Sequence, residues 1–273
     1  SLIDGSGFIF RAYYALPPLT SKNGTPVGAV LGFCNMLLKL LEEKRTDKVV
    51  VIFDSAKKTF RNNIYHNYKA NRGEPPEDLI PQFEIIREAV DAFNITRVEL
   101  LGYEADDLIA TYANFFDKKK WSIEIVSSDK DLMQLVNRNI TMRDPIKNKV
   151  IGKEEVFEKF GVYPEKVIDV QSLAGDSVDN IPGAPGIGIK TAANLVNEFG
   201  SLENILNNYI KIKQNKRRET IENNIKNIQI SKKLVTLKSD IDIEIALEKI
   251  SDTAFNKPSL SKFFESQNLR FGQ

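Results

Sequence analysis

The first half of the chain alternates short apolar segments, rich in β-branched residues, with longer amphipathic ones. The apolar segments span residues 2–3, 49–53, 98–101 and 123–126. They are too short for stable helices and are typical of β-strands. The longer segments place apolar residues at helical i, i+3 and i+4 spacing over residues 28–43, 81–93 and 106–116. This alternation predicts an α/β fold with a mostly parallel central sheet and helices on both faces.

The pattern changes at about residue 164, where short helices alternate with Gly- and Pro-rich turns. We therefore predict an α/β core over residues 1–163 and a helical subdomain over residues 164–273. The chain has 273 residues, 42% of them hydrophobic, which is enough for a substantial buried core. It has no run of 18 apolar residues and no signal peptide at its start. These features predict a cytoplasmic protein outside the membrane, and we expect a monomer.

Acidic residues follow each of the four predicted strands. They are Asp4, then Asp54, then Glu104, Asp106 and Asp107, then Asp129 and Asp131. Because parallel strands end at one edge of a sheet, we expect these carboxylates to converge. Like charges repel at such separations, so bound cations are the economical explanation. Cys34 is the only thiol and His66 the only imidazole, which favours Mg²⁺ or Mn²⁺ over zinc.

Two alternatives bear on this acidic cluster. A single acid at the start of a helix is more often a cap than a metal ligand, but acids after four consecutive strands are much less expected by chance. A phosphatase of the haloacid-dehalogenase type also has Asp at a strand end. It needs a second Asp two residues later, where this chain has Ser6. This departure weakens the phosphatase alternative.

The segment after Asp54 combines cations with aromatic rings. It contains Lys57, Lys58, Phe60, Arg61, Tyr65, His66, Tyr68, Lys69 and Arg72, and no acid occurs from residue 55 to residue 73. Cations for phosphates, interleaved with rings for stacking, suit a single nucleic-acid strand. A solvated loop is the simpler alternative for this segment. The basic residues between 211 and 218 are more typical of a solvated helix face.

A glycine-rich element lies at residues 183–192. Glycines let a backbone approach a phosphate closely, and a helix that begins there adds its amide groups. A nucleotide-binding P-loop would need Lys directly after the last glycine, but Ile189 separates Gly188 from Lys190. We therefore expect backbone contacts to a phosphate at this element, of the kind that position a nucleic acid without reading its sequence.

Eight motifs, in order along the chain, resemble those of the 5′ nuclease domains of bacterial DNA polymerase I, in the flap endonuclease family. They are residues 4–6, 51–54, 59–61, 68–72, 102–107, 128–132, 175–183 and 186–192. The departures are small: the family usually has Val at the position of Ala184, and a polar residue at that of Ile189. Neither position touches the chemistry.

The resemblance implies a two-metal-ion 5′→3′ exodeoxyribonuclease and flap endonuclease that acts in primer removal and repair. It adds Asp176 and Asp179 to the seven acids above as metal ligands or neighbours of ligands. Without these nine acids the chain would carry 38 basic residues against 28 acidic ones, a surplus that could face a polyanion. The implied partners are DNA with a 5′ flap, or a 5′ end at a duplex junction, and a polymerase domain C-terminal to this chain.

The resemblance also implies roles for the DNA-facing residues. The segment at about residues 55–82 would form an arch over the active site, with Lys69 assisting the reacting phosphate beside Arg61 and Arg72. The glycine-rich residues would form a helix–three-turn–helix element that holds duplex DNA and a K⁺ ion. The predicted DNA-binding residues are Arg11, Tyr14, Tyr68, Gly183, Gly186, Gly188, Lys190 and Thr191.

Two other classes of function remain as alternatives to the nuclease. A DNA-binding subunit without catalysis would lack acids of the cluster, whereas all nine positions are acidic here. A ribonuclease of the related PIN-like group would have the acids but would leave the glycine-rich element unexplained.

Overall fold

The computed structural model of the protein describes residues 1–43, 45–55, 58–243, 250, 252 and 257–269. Its strands are β1 (Leu2–Asp4), β2 (Val50–Ile52), β3 (Thr96–Val98), β4 (Ile123–Val126), β5 (Ile140–Asp144) and β6 (Lys149–Ile151). Its helices are α1 (Gly5–Ala15), α2 (Gly28–Glu42), α3 (Phe60–Ile64), α4 (Ile80–Ala92), α5 (Ala105–Lys118), α6 (Lys153–Phe160), α7 (Val167–Ala174), α8 (Ile189–Phe199), α9 (Leu202–Asn207), α10 (Asn215–Asn223), α11 (Ile225–Val235) and α12 (Lys257–Ser266). Short 3-10 turns lie at Lys130–Leu135, Pro164–Lys166 and Tyr209–Lys211.

The chain divides into two compact units. The first comprises residues 1–56, 74–128 and 239–273, and the second comprises residues 57–73 and 129–238. The boundaries of these units lie at other positions than the predicted boundary after residue 163. Within the second unit, Tyr68 packs against Ile181, Leu234 and Val235, which ties residues 57–73 to the helical part.

Four parallel strands form the sheet of the first unit, in the order β3-β2-β1-β4. Leu2 pairs with Val50 on one side and with Ile125 on the other. The residues of β1, β2 and β4 are buried, as expected for parallel strands that are covered on both faces. The sheet confirms the predicted α/β class.

The hydrophobic core of the first unit joins α1, α2, α4 and α12 to strand residues such as Ile3 and Val51, and to Phe53, which directly follows β2. Phe33 of α2 stacks on Phe53, with ring centroids 6.1 Å apart. Cys34 lies buried in the same cluster, and burial raises the pKa of its thiol well above the ordinary value. The thiol therefore serves in packing.

The structure differs from the predicted strands in two places. The third strand lies at Thr96–Val98, because this segment pairs with β2, whereas Leu101 stands 62% exposed in the following turn. The antiparallel pair β5–β6 of the second unit was not predicted at all. Its first strand ends in Arg143 and Asp144, which are charged although they are buried. The sequence therefore lacks the alternation of apolar and polar residues that marks a strand.

In the second unit, α7 packs against α8 and α11. Asp176 and Ile181 close the loop between α7 and α8, because each donates its amide to the carbonyl oxygen of the other, at 3.0 and 2.7 Å. Gly183 follows with φ +55°, and a Cβ there would lie 2.4 Å from the nitrogen of Gly175. Only glycine fits such a contact. Of the helices in the described part of the chain, none is long and apolar enough to cross a membrane.

Candidate metal and nucleic-acid site

Asp4 ends β1 and caps α1. Its Oδ1 accepts the amide hydrogen of Gly7 at 2.7 Å, and its Oδ2 accepts the hydroxyl hydrogen of Ser127 at 2.8 Å. A side chain at Gly7 would meet the Asp4 carboxylate, since a Cβ there would lie 2.4 Å from Oδ2. Neutral donors therefore fix this carboxylate at the end of the strand.

Asp54 follows β2 and is tied to the start of α5. Its Oδ1 accepts the amide hydrogen of Ala105 at 2.7 Å, and its own amide donates to the Ser6 hydroxyl at 2.8 Å. These bonds bring Asp54 next to the acids that begin α5. Asp54 is exposed, and among the described residues it forms no ion pair.

Glu104 and Asp107 form a capping box at the start of α5, in which Asp107 Oδ2 accepts the amide hydrogen of Glu104 at 3.2 Å. Asp107 is fully buried, whereas Asp106 lies between them on the half-exposed face of the first turn. A capping box satisfies helix amides that would otherwise lack partners. The geometry of Asp107 therefore favours a cap, and Asp106 is the more accessible of the pair.

Asp129 and Asp131 lie side by side in the second unit. Asp129 Oδ1 accepts the amide hydrogen of Asp131 at 2.9 Å, and Asp131 Oδ1 accepts a hydrogen from Gln171 Nε2 at 2.5 Å. Burial, together with the charge of Asp129, raises the pKa of Asp131 to about 7, although Lys130 and the Gln171 bond act in the opposite direction. A carboxylate that its surroundings disfavour as an anion would be stabilised by a bound cation, so this pair fits a metal ion.

Asp176 is held by a cation of the chain. Its Oδ2 accepts a hydrogen from Lys130 Nζ at 2.5 Å, and its Oδ1 accepts the amide hydrogen of Val178 at 2.7 Å. Burial alone would raise the pKa of Asp176, but Lys130 and the amides outweigh it, so the pKa lies below the ordinary value. Asp176 is therefore ionised and already partly neutralised.

Asp179 connects the predicted arch residues to the loop after α7. Arg72 bonds to its Oδ1, Lys69 Nζ lies 3.8 Å from its Oδ2, and the amide of Lys69 donates to its carbonyl oxygen at 2.9 Å. Asn71 adds a bond to the carbonyl oxygen of Ser177 at 2.7 Å. The structure therefore brings the predicted cations Lys69 and Arg72 to a predicted acid.

Two residues with predicted roles in catalysis and DNA contact lie inside the protein. Arg61 is 1% exposed, and its guanidinium donates to the carbonyl oxygens of Leu234, at 2.8 Å, and Thr236, at 3.4 Å. Tyr68 is also buried, within a small core cluster. These positions suit packing and backbone pairing, so neither residue enters the function proposed below as a direct contact with DNA.

The predicted duplex-binding glycines differ among themselves. Gly186 and Gly188 are exposed, and a Cβ at either would meet no atom within 4 Å. Gly188 caps α8, whose exposed first turn also carries Lys190. Gly183 is buried and donates its amide hydrogen to Ser231 Oγ at 2.8 Å. The loop therefore offers an open backbone at Gly186 and Gly188, whereas Gly183 maintains the turn.

Arg11 and Tyr14 lie on α1 in the first unit. Tyr14 is 73% exposed and packs edge-on against Tyr13, with ring centroids 5.1 Å apart. An exposed ring of this kind is available for stacking.

Sequence reasoning missed Gln171 and Lys130, which contact the acids of the second unit. The signal for Gln171 was weak, because α7 contains two other buried polar residues, Asp169 and Ser172, and nothing local distinguishes Gln171 from them. No group of three or more His, Cys, Asp or Glu side chains is arranged to hold a metal ion within the searched, described part of the chain. The convergence of all nine acids stays a prediction.

Comparisons with known proteins identify the family of the chain. A family model described as the N-terminal resolvase-like domain of 5′-3′ exonucleases matches residues 1–161, and one described as their C-terminal SAM fold matches residues 162–258. The chain belongs to the 5′-3′ exonuclease family. This finding confirms the resemblance that the eight motifs predicted.

The chain is 42% identical to a 5′-3′ exonuclease of Aquifex aeolicus, over 96% of this chain and 88% of that protein. It is 53% identical to a DNA polymerase I of Rhizobium leguminosarum, over 98% of this chain but only 27% of that protein. The chain thus spans about a quarter of that polymerase. The solved structure of T5 5′-exonuclease with bound zinc ions has a TM-score of 0.72 at 22% identity and covers 97% of both chains, which shows a shared fold.

Proposed function

We propose that the chain is a divalent-metal-dependent 5′ nuclease that hydrolyses phosphodiester bonds in DNA. It would act as a 5′→3′ exodeoxyribonuclease and as a flap endonuclease. The observation that carries the proposal is Asp54, an exposed carboxylate that neutral groups fix beside the acids of α5. Membership of the 5′-3′ exonuclease family supports the same activity.

The acids supply the oxygen ligands that Mg²⁺ and Mn²⁺ prefer. In the first unit, we assign Asp4, Asp54, Glu104 and Asp106 to metal binding, with Asp107 as the cap that orients Glu104. In the second unit, we assign Asp129 and Asp131, with Asp176 and Asp179 beside them. Two or more such ions, when bound, would lower the pKa of a water and stabilise charge on the phosphate oxygens.

Residues of the chain would bind and orient the DNA around this chemistry. Lys69 and Arg72 would leave their pairing with Asp179 and donate hydrogen bonds to the phosphate that reacts. Arg11 and Tyr14 would contact the DNA from the first unit. Gly186, Gly188, Lys190 and Thr191 would hold duplex DNA through amide, hydroxyl and ammonium groups, with a K⁺ ion at the same loop.

The substrate would be DNA with a 5′ flap or with a 5′ end at a duplex junction. We further propose that the chain acts as a monomer in the cytoplasm, in primer removal and repair, with a polymerase domain C-terminal to it. The relatives named DNA polymerase I, which extend far beyond the matched part, support the last point.

Cleavage of a 5′-labelled flap DNA in Mg²⁺, in Ca²⁺ and in EDTA tests the proposal, with single-stranded RNA of the same sequence as a control substrate. We expect cleavage near the junction in Mg²⁺ only. Preferential cleavage of the RNA would favour the PIN-like ribonuclease. Binding of the flap with no cleavage in either Mg²⁺ or Mn²⁺ would favour a DNA-binding protein without catalysis.

A further inference from the structure

Gln171 is a buried amide that contacts one of the proposed metal ligands. It lies on α7 and is 5% exposed. Its Nε2 donates to Asp131 Oδ1 at 2.5 Å, whereas its Oε1 is buried with no hydrogen-bond partner among the described residues. One end of the amide is therefore satisfied, and the other end is not.

The orientation of the Gln171 amide group, with Nε2 towards Asp131, follows from the negative charge of the Asp131 carboxylate. Turning the amide over would bring Oε1 against the Asp131 carboxylate, where two acceptors would repel each other. The contact with Asp131 thus keeps Oε1 away from that carboxylate and leaves it unsatisfied. A buried acceptor without a donor costs free energy, and natural proteins keep few of them. An acceptor of this kind is explained if a donor arrives with a ligand.

Asp131 depends on Gln171 for the orientation of its carboxylate. The backbone of Asp131 is already fixed, because its amide donates to Asp129 Oδ1 at 2.9 Å and its carbonyl oxygen accepts a hydrogen from Gln134 Nε2 at 2.9 Å. The bond from Gln171 then restrains the side chain. Groups that orient metal-binding carboxylates in this way tune the affinity of a site for its ion.

We propose that Gln171 is a positioning residue for a divalent cation at Asp131. Its Nε2 holds the carboxylate, and its Oε1 accepts a hydrogen bond from a water of the hydrated cation. This inference rests on the proposed function, since it takes Asp131 to be a metal ligand.

Binding of Mn²⁺ to the full chain without DNA tests the inference, with free Mn²⁺ followed by electron paramagnetic resonance. Gln171→Met removes both polar atoms at nearly constant volume. Ser172→Ala is the matched control, because Ser172 is the next residue of α7, is fully buried, and donates only to the carbonyl oxygen of Ile168. We expect the Mn²⁺ concentration for half-saturation to rise about tenfold in Gln171→Met and to stay unchanged in Ser172→Ala.

Thermal melting in EDTA separates positioning from a purely structural role. Gln171→Met loses a hydrogen bond and also an unsatisfied acceptor, so we expect a metal-free Tm close to that of the wild type. A lower Tm with unchanged Mn²⁺ affinity would overturn the inference. If Gln171→Met does not fold, Gln171→Leu removes the same two atoms, and an unchanged Mn²⁺ affinity in that variant would overturn it equally.

The result can be told apart from a failure of the proposed function. Wild-type protein that binds Mn²⁺ but cuts no flap DNA would contradict the nuclease, while the variants would still measure the contact between Gln171 and Asp131. If the wild type cuts flap DNA and Gln171→Met binds Mn²⁺ with unchanged affinity, only the positioning role of Gln171 is contradicted, and the nuclease stands.

Discussion

Two acidic residues of the first unit, Asp4 and Asp54, are held differently from two of the second, Asp176 and Asp179. In the first unit, neutral donors fix the carboxylates: an amide and a hydroxyl group hold Asp4, and the amide of Ala105 holds Asp54. In the second unit, Lys130 binds Asp176 and Arg72 binds Asp179, whereas a neutral amide, that of Gln171, holds Asp131.

This difference sets what each group of acids can do before a cation arrives. A neutral dipole orients a carboxylate and leaves its charge in place, whereas an ammonium or guanidinium group also offsets the charge. Asp54 is therefore ready to bind an external cation. Asp179 pairs with two cationic side chains of the chain, Lys69 and Arg72. In the proposed reaction, both side chains contact the phosphate instead.

The largest effect should follow from removing one proposed metal ligand in each unit. We expect Asp54→Ala and Asp129→Ala each to lower cleavage of flap DNA in saturating Mg²⁺ by more than about a hundredfold, because metal ligands are lost. The metal-free Tm should change little, because the relief of carboxylate repulsion offsets the amide hydrogen bond that each variant loses. Asp91→Ala is the control, because Asp91 pairs with Arg97 on the surface of the first unit. Near-normal cleavage by both variants would contradict the metal assignment.

The next effect concerns Lys69, which is paired with Asp179 in the second unit. If Lys69 stabilises the charge that develops at the phosphate, Lys69→Ala should lower the cleavage rate about a hundredfold. This corresponds to an activation free energy that is higher by roughly 3 kcal/mol. The affinity for flap DNA in Ca²⁺ should fall much less. Single-turnover cleavage at saturating enzyme measures the rate. An unchanged saturated rate with weaker binding would reduce Lys69 to a docking residue.

Lys190→Ala provides the contrast to Lys69→Ala. Lys190 lies on the exposed first turn of α8, so its loss should weaken binding and lower the salt dependence by about one charge. The saturated rate should stay close to that of the wild type.

The sequence predicted the acids best where local chemistry decides the structure. Asp4 and Asp54 follow short runs of buried β-branched residues, so their place at the ends of parallel strands could be read from the pattern alone. The third strand was misplaced because Leu100 and Leu101 extend the apolar run that predicts the strand, although they lie in the turn after it. Apolar composition without pairing information does not fix the boundary of a short strand.

Contacts between distant residues escaped the sequence analysis. Gln171 lies 40 positions from Asp131, and Arg61 lies 173 positions from Leu234. Arg61 belongs to a basic and aromatic segment, and its composition alone suggested DNA contact. Its burial depends on the backbone of α11, which local pattern does not reveal. The same limit applies to Tyr68, whose ring fills a core cluster.

Two glycines of the same loop should respond differently to alanine. Gly183→Ala would place a Cβ against the backbone of Gly175 at a positive φ, so we expect a loss of about 2 to 3 kcal/mol in the free energy of unfolding. Gly188→Ala meets open space and should change it by less than about 0.5 kcal/mol. Thermal or urea unfolding measures both. Equal stability of the two variants would contradict the packing described for Gly183.

The open glycine, Gly188, also tests whether the loop binds a phosphate. Gly188→Asp places a negative charge where a phosphate would approach, so we expect about tenfold weaker binding of duplex DNA in Ca²⁺ across different sequences. Gly188→Ala serves as the matched control, since it adds a side chain without charge. Unchanged affinity of Gly188→Asp for flap DNA would show that this loop holds no phosphate.

The number of Mn²⁺ ions bound per chain tests the central claim most directly, because it does not depend on cleavage. Equilibrium dialysis of the wild type and of Asp54→Ala, at equal protein and Mn²⁺ concentrations, provides the comparison. If the acids form a two-metal site, we expect at least two ions per wild-type chain and a loss of at least one in Asp54→Ala. A wild type that binds none, or an Asp54→Ala variant with the same number and affinity, would contradict it.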